Sequence, residues 1–184
     1  MRAWPLTLPG ALVLEPTVHG DERGFFVETY RESELAKLGI DDAFVQDNHS
    51  RSRAGVVRGM HFHVGVGVAK LVRCARGSIL DVIVDLRRGS PTYGRWEGVE
   101  LDDEGQRLLY VPIGFAHGFC TLSTVADVLY KQTAYYDPAI ERAIAHDDPD
   151  IAISWPAGLD LVVSERDAGA PRLRDVAAEL PFRY

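Results

Sequence analysis

Residues 56–86 read VVRGMHFHVGVGVAKLVRCARGSILDVIVDL, which is three apolar or alternating segments separated by glycines. Short segments of this kind between turn residues are typical of β-strands. The same pattern predicts eleven strands along the chain, at 11–16, 24–30, 43–50, 56–63, 70–76, 78–86, 95–101, 107–112, 116–122, 127–136 and 151–156. Because no ten-residue helical period lies between them, we expect an antiparallel sandwich or barrel rather than βαβ units.

Only two segments have the features of helices. RESELAKLG (31–39) begins with polar residues and ends at a glycine, and LRDVAAEL (173–180) is followed by a proline that stops it. The 184 residues contain no linker, repeat or low-complexity stretch, so a single domain over 1–184 is expected. The predicted fold class is all-β with a few short helices, mainly near the C-terminus.

The composition is that of a globular protein with an acidic balance. Twenty Lys and Arg against 27 Asp and Glu give a net charge of −7, so no nucleic-acid partner is expected.

No apolar run approaches the ~20 residues of a membrane-spanning helix, and the N-terminus has no signal-peptide pattern. A cytoplasmic protein without a membrane partner is expected. Cys74 and Cys120 lack metal-ligand spacing and are predicted to be buried free thiols.

Strand alternation predicts which side chains share a face. His61 and His63 project from one side of their strand, and Lys70 lies on the same face as Val72 in the next strand. Ionisable side chains that point into a small barrel are costly unless they are paired or functional. If the interior is the side that bears His61, then His61, Lys70 and Tyr130 converge in one cavity.

Two histidine-containing segments, GVVRGMHFH (55–63) and PIGFAH (112–117), resemble the two signature blocks of the cupin superfamily. Its members are small jelly rolls, also called double-stranded β-helices. In the metal-binding members, three histidines and a glutamate of these blocks hold a divalent ion, because imidazoles two residues apart on a strand project into the same cavity.

The carboxylate of such a metal site is missing from this sequence. No Asp or Glu follows His63 in the expected window, and the first charged side chain is Lys70. A fixed ammonium beside a divalent cation is repulsive, so no metal is predicted. A metal-binding cupin, either an oxygenase or a sugar-binding protein that uses His61, His63 and His117, is the alternative from another functional class.

Nine segments in register extend the resemblance over residues 11–175. They are RGFFVETY, QDNHS, VVRGMHFH, KLV, DVIVDLRRGSPTYGRWEGVEL, VPIGFAHGF, LYKQTAYYDP, DDPDIAISWP and LVVSERD. Together they closely resemble the dTDP-4-dehydrorhamnose 3,5-epimerase family of metal-independent cupins. The resemblance implies a jelly roll without cofactor that inverts C3′ and C5′ of dTDP-4-dehydro-6-deoxy-α-D-glucose, in dTDP-L-rhamnose biosynthesis.

The resemblance also implies the catalytic residues. His61 matches the base that removes a proton beside the C4′ ketone, and Asp167 matches the carboxylate that orients it. Lys70 matches the lysine that faces the C4′ oxygen, where a positive charge stabilises the developing enolate. Tyr130 matches the proton donor on the other face of the sugar.

The resemblance also implies which residues hold the dTDP part of the substrate. It implies a homodimer as well, because in the family some N-terminal residues reach the site of the neighbouring subunit. Strict alternation puts Arg58 on the face opposite His61, so a bulge or twist near Gly59 is expected to redirect one of them. The predicted substrate-binding residues are Arg23, Phe26, Glu28, Gln46, Asp47, Asn48, Arg58, His117, Tyr136, Glu141 and Arg166.

The sequence departs from the family pattern at three points. His63 stands where the family usually has Gln, Arg166 stands where Lys is common, and the loop from His61 to Lys70 is one residue shorter than expected. We expect His63 and this loop to lie beside the substrate, where they affect which carbon is inverted. An enzyme that inverts only C3′ or only C5′ therefore remains an alternative within the same class.

Overall fold

The computed structural model describes all 184 residues and contains thirteen strands and three short helices. No helix is long and apolar enough to cross a membrane. The strands are β1 (Arg2–Pro5), β2 (Leu12–Glu15), β3 (Val18–Asp21), β4 (Gly24–Val27), β5 (Gln46–Arg53), β6 (Val57–His63), β7 (Lys70–Arg76), β8 (Ser78–Asp85), β9 (Trp96–Asp102), β10 (Leu108–Val111), β11 (Phe115–Thr121), β12 (Val125–Gln132) and β13 (Glu141–Ala143). The helices are α1 (Glu32–Ala36), α2 (Glu165–Ala168) and α3 (Leu173–Val176), and a 3₁₀ turn follows at Ala177–Glu179.

The strands form two large antiparallel sheets and one separate hairpin. The first sheet has the order β1-β2-β10-β7-β12-β5, the second has the order β13-β6-β11-β8-β9, and β3 pairs only with β4. The main apolar core is built from the inward side chains of both large sheets, among them Val72, Leu109 and Val128 from the first and Ile83, Phe115 and Phe119 from the second. The predicted cupin-type jelly roll is confirmed.

The outer faces of both sheets are covered by the chain itself. Helix α1 and the segment after it cover the outside of the first sheet, where Leu35 and Ile40 pack against Leu71. The C-terminal segment covers the second sheet, and the side chains that meet there include Met60, Phe62, Leu173, Leu180 and Phe182. The predicted strand alternation around His61 is therefore correct, since Met60 and Phe62 face outward.

Ten of the eleven predicted strands are present, some with shifted ends, and the prediction at 151–156 is wrong. There the chain turns, because Ala152 has a φ of 55° and its N–H donates to the carbonyl oxygen of Asp148 at 2.8 Å. The indole N–H of Trp155 donates to the carbonyl oxygen of His146 at 2.8 Å. The apolar residues of this segment reflect packing onto the second sheet rather than strand pairing.

The sequence pattern does not predict β1, β3, β13 or the four-residue helix α2. These strands are only three or four residues long and mostly exposed or half-buried, so they show no alternation between core and solvent. The predicted helix at 31–39 is confirmed in a shorter form over 32–36. The predicted C-terminal helix begins at residue 173 and continues into the 3₁₀ turn.

A bulge in β6 confirms the expected irregularity near Gly59. His61 lies opposite His117 of β11, whereas Arg58 lies opposite Phe119, so β6 has one more residue than β11 between the two pairs. The extra residue turns Arg58 and His61 toward the same cavity.

The bulge requires the backbones of β6 and β11 to lie unusually close together. We expect Gly118→Ala to lower the free energy of unfolding by about 1–3 kcal/mol, because overpacked side chains force backbone shifts. A Cβ on Gly118 would lie 2.6 Å from the carbonyl oxygen of Arg58 and 2.9 Å from Cα of Gly59. Urea unfolding measures the loss. The control is Gly20→Ala, whose Cβ would lie no closer than 3.8 Å to Gly24; equal losses in both variants would contradict the prediction.

Candidate active site

The largest cavity of the protein lies between the two large sheets and has a volume of about 540 Å³. Nine of the fifteen residues predicted for the site line it. The lining residues are Ser50, Val56, Val57, Arg58, His61, Lys70, His117, Phe119, Tyr130, Tyr136, Glu141, Val162, Val163, Ser164, Arg166 and Asp167. They come from both sheets and from the C-terminal segment around α2.

His61 and Asp167 form a hydrogen-bonded pair on one wall of this cavity. Nε2 of His61 is 2.7 Å from Oδ1 of Asp167, and the other carboxylate oxygen accepts the N–H of Gly59 at 3.3 Å. Helix α2 positions the carboxylate, because its first-turn N–H at Asp167 donates to Oγ of Ser164 at 3.1 Å. Burial raises the pKa of Asp167, but the hydrogen bond and charge of His61 hold it below its usual value.

Lys70 and His117 form a second group of ionisable side chains in the cavity. Nζ of Lys70 is 3.5 Å from Nδ1 of His117, and Nε2 of His117 is 2.7 Å from Oδ1 of Asp81. All three side chains are buried, which lowers the pKa of Lys70 to about 8 and lowers the pKa of His117. The negative charges of Glu141 and Asp81 oppose the effect of burial on Lys70.

Tyr130 lies on the wall opposite His61. The tyrosine belongs to β12 of the first sheet, whereas His61 belongs to β6 of the second, and both line the cavity. Nζ of Lys70 is 5.9 Å from the centre of the Tyr130 ring. Burial and the negative charge of Glu141 raise the pKa of Tyr130, so its hydroxyl keeps its proton at neutral pH.

Arg58 and Tyr136 lie toward the open side of the cavity. Nε of Arg58 donates to the buried hydroxyl of Ser52 at 3.0 Å, which leaves its terminal nitrogens free to point into the cavity. The backbone N–H of Tyr136 donates to the side chain of Gln46 at 2.8 Å, and Gln46 in turn donates to Asn48 at 2.8 Å. Glu141 and Arg166, both on the cavity wall, form an ion pair.

Six of the predicted residues do not line the cavity of their own chain. Two of them, Gln46 and Asn48, are linked to Tyr136 as described above, and the other four are paired or exposed elsewhere. Arg23 pairs with Asp21 in the β3–β4 turn, the Phe26 side chain on β4 is 71% exposed, and Glu28 pairs with Arg31. The carboxylate of Asp47 instead accepts a hydrogen bond at 2.7 Å from Lys131, whose neighbour Tyr130 faces the cavity. The roles predicted for these six residues, like those of the other predicted site residues, stay predictions.

The expectation that His63 and the loop at 64–69 lie beside the substrate is wrong, because neither lines the cavity. The loop packs the other way: a Cβ on Gly67 would lie 2.4 Å from Ile113 and 3.2 Å from Phe182. His63 is buried where β6 pairs with Glu141, and its Nδ1 has no hydrogen-bond partner. Its pKa is lowered by burial and by the charge of Lys70.

Two of the three histidines of the metal-binding alternative are paired with carboxylates. Nε2 of His61 and Nε2 of His117 each lie 2.7 Å from a different carboxylate, Asp167 and Asp81. No three His, Cys, Asp or Glu side chains are grouped so that they can hold a metal ion.

Four polar residues in and around the cavity are not predicted from the sequence: Ser50, Ser52, Asp81 and Ser164. Ser50 and Ser52 share the inward face of β5 with Gln46 and Asn48, so extending the alternation along that strand would have found them. Ser50 lines the cavity, and its buried Oγ has no hydrogen-bond partner. Asp81 stands in the apolar run SILDVIVD, where a carboxylate requires a buried partner.

Comparison with known proteins agrees with the fold. A protein-family model described as dTDP-4-dehydrorhamnose 3,5-epimerase matches residues 5–175. A dTDP-4-dehydrorhamnose 3,5-epimerase from Salmonella typhimurium strain LT2 is 51% identical over 168 residues, which are 90% of this chain and 92% of the relative. One from Methanothermobacter thermautotrophicus is 48% identical over 171 residues, 92% of each chain.

A solved structure extends the similarity to the whole fold. A dTDP-6-deoxy-D-glucose-3,5-epimerase from Legionella pneumophila, crystallised with dTDP-4-keto-L-rhamnose, superposes with a TM-score of 0.96 at 45% sequence identity. The match covers 100% of this chain and 98% of the other. The chain belongs to the dTDP-4-dehydrorhamnose 3,5-epimerase family.

Proposed function

We propose that the protein inverts C3′ and C5′ of dTDP-4-dehydro-6-deoxy-α-D-glucose and releases dTDP-4-dehydro-β-L-rhamnose, an intermediate of dTDP-L-rhamnose biosynthesis. The observation that carries this proposal is the pair of opposed groups in one cavity. A carboxylate-bound imidazole lies on one wall and a protonated phenol on the other, with a buried amine between the sheets. Inversion beside a ketone requires a base and an acid on opposite faces of the sugar.

His61 is the base in this mechanism. Neutral imidazole takes the proton from the carbon next to the C4′ ketone, and the electron pair of that C–H bond forms the enolate, with negative charge on the C4′ oxygen. Asp167 holds the ring in position and stabilises the imidazolium that results. The Lys70 ammonium stabilises the enolate oxygen, and its burial increases the effect because the local dielectric is low.

Tyr130 is the acid that completes the inversion. Its hydroxyl donates a proton to the enolate carbon from the face opposite His61, which restores the ketone and reverses the configuration. The phenolate then recovers a proton from solvent, and the imidazolium releases one. The raised pKa of Tyr130 keeps the donor protonated before each turnover.

The nucleotide half of the substrate is held toward the open side of the cavity. The guanidinium of Arg58, fixed by Ser52, suits the diphosphate because its planar donors match phosphate oxygens. Arg166 adds a second guanidinium to the cavity wall, where it is paired with Glu141. Asn48 has a buried amide nitrogen without a partner, which suits it to donate a hydrogen bond to bound nucleotide.

The protein works as a homodimer in this proposal, with the β3–β4 hairpin of each subunit completing the partner's site. Arg23, Phe26 and Glu28 lie on or just after this hairpin, away from their own cavity. The hairpin pairs with neither large sheet, and Phe25 and Phe26 on it are exposed. Exposed neighbouring aromatic side chains favour contact with another chain, and Phe26 is suited to stack on thymine.

A cytoplasmic location completes the proposal. Cys74 and Cys120 are both free and buried, as expected for a protein kept in a reducing compartment.

The role of His61 is tested by exchange of substrate hydrogen with solvent. We expect His61→Asn to lower the rate of deuterium incorporation from D₂O by at least about 10²-fold, because the base is lost. Affinity for dTDP, measured by calorimetry, is expected to stay within about threefold, because His61 does not serve the nucleotide half.

The control is His49→Ala, which removes an exposed imidazole that pairs with Asp127 on β12. It is expected to leave both exchange and dTDP affinity unchanged. Exchange that continues at the wild-type rate in His61→Asn would mean that another group removes the proton.

Subunit mixing tests whether the hairpin serves the partner's site. We expect Arg23→Ala/Phe26→Ala and His61→Asn each to be nearly inactive as homodimers. After co-refolding at equal amounts, about a quarter of the sites combine an intact cavity with an intact hairpin, so about a quarter of the wild-type activity should return. No recovery in verified heterodimers would show that the hairpin serves its own chain.

A further inference from the structure

A row of three buried side chains runs from the cavity into the second sheet. Lys70 and His117 line the cavity, whereas Asp81, from β8, lies behind His117 and does not line it. The distances along the row are 3.5 Å from Nζ of Lys70 to Nδ1 of His117, and 2.7 Å from Nε2 of His117 to Oδ1 of Asp81. Asp81 is completely inaccessible to solvent, and its second carboxylate oxygen has no hydrogen-bond partner.

The carboxylate determines which ring nitrogen of His117 carries the proton. Burial favours the neutral imidazole, which has one N–H and one lone pair. An ionised carboxylate only accepts hydrogen bonds, so the proton lies on Nε2, next to Asp81. Nδ1 then presents its lone pair to Lys70, and the ammonium donates to it. The other tautomer would direct an N–H toward the ammonium.

Lys70 is surrounded by charged and titratable groups from several elements. Asp81 and Glu141 favour its charged form, whereas burial opposes it. The positive charge of Lys70 in turn disfavours protonation of its histidine neighbours. The groups that face it are Asp81 from β8, His117 from β11, Tyr130 from β12, and Glu141 and His63 from the paired strands β13 and β6.

We propose that Asp81 is a positioning residue that acts through His117 on Lys70. Its hydrogen bond selects the imidazole tautomer that accepts from the ammonium, and its negative charge adds to that of Glu141 in favouring the charged amine. The inference rests on the proposed function, in which that ammonium faces the C4′ oxygen. Asp81 itself touches no substrate atom.

Direct titration of Lys70 tests the inference without any activity measurement. The chain has only three lysines, so their ¹³Cε signals can be followed separately by NMR. In Asp81→Asn we expect the acid dissociation constant of Lys70 to rise by at least about tenfold, because a stabilising charge is lost. Lys37 and Lys131, which pair with Glu34 and Asp47, are internal controls and should not change. An unchanged Lys70 titration would overturn the proposal.

The wild-type protein provides a second test that requires no folded variant. Long-range ¹H–¹⁵N NMR of the imidazoles is expected to show His117 as the neutral tautomer with its proton on Nε2. A proton on Nδ1, or a charged ring at neutral pH, would overturn the assigned role of Asp81.

The pH dependence of kcat connects the row to catalysis. Because the amine must be charged, activity falls as pH rises through its pKa, and Asp81→Asn is expected to move this alkaline limb to lower pH. If Asp81 acts through Lys70, its substitution should have no effect once Lys70 is replaced. Adding Asp81→Asn to Lys70→Gln should therefore change kcat by less than about twofold. Wild-type protein without epimerase activity would refute the proposed function, whereas an active wild type with an unmoved limb would refute only this inference.

The matched control is Asp85→Asn on the same strand. Asp85 is also fully buried, but it binds Arg87, Ser90 and Thr92 rather than the row. Its loss is expected to reduce stability and leave the alkaline limb in place. If Asp85→Asn moves the limb as far as Asp81→Asn does, the effect comes from general loosening of β8 and the proposal fails.

Discussion

The extra residue of β6 between Arg58 and His61 is the constraint on which the site depends. In an unbroken strand these two side chains would face opposite sides of the sheet, and only one would reach the cavity. The bulge turns both inward and leaves His61 directly opposite His117 on β11. It requires the glycine backbone at Gly118, where no Cβ fits. One feature of the backbone thus brings the proposed base, the proposed diphosphate ligand and the buried histidine together.

Burial in the jelly roll explains how ordinary side chains acquire distinct roles. It lowers the pKa of Lys70 to about 8 and raises the pKa of Tyr130. The protonation of Lys70 near neutral pH therefore responds to neighbouring charges, whereas the phenol of Tyr130 keeps its proton. Carboxylates then compensate for burial where charge is needed. In the proposed mechanism Asp167 supports the imidazole that becomes positive, and Asp81 supports the lysine through His117. The two His–Asp pairs are similar in geometry, and the roles proposed for them differ.

Local sequence patterns predict the parts of this structure that depend on local alternation. Strands such as β7 and β8 are found because their side chains alternate between two environments. The bulge near Gly59 is expected only because the family resemblance assigns Arg58 and His61 to one site, which unbroken alternation would not allow. The same reasoning fails at 151–156, where apolar residues pack on a sheet without joining it. It also fails for the loop after His63, whose direction depends on distant Phe182. Contacts between residues far apart, such as Asp81 with His117, have no local signal.

The central claim is that the proton leaves from one face of the sugar and returns from the other. The most direct test incubates the dTDP-ketosugar in D₂O with Tyr130→Phe and follows label and configuration at C3′ and C5′ by NMR. The wild-type protein should introduce deuterium at both carbons together with inversion. Tyr130→Phe should still exchange hydrogen through His61 but invert at least about 10²-fold more slowly. Inversion at the wild-type rate, or loss of exchange together with inversion, would contradict the account.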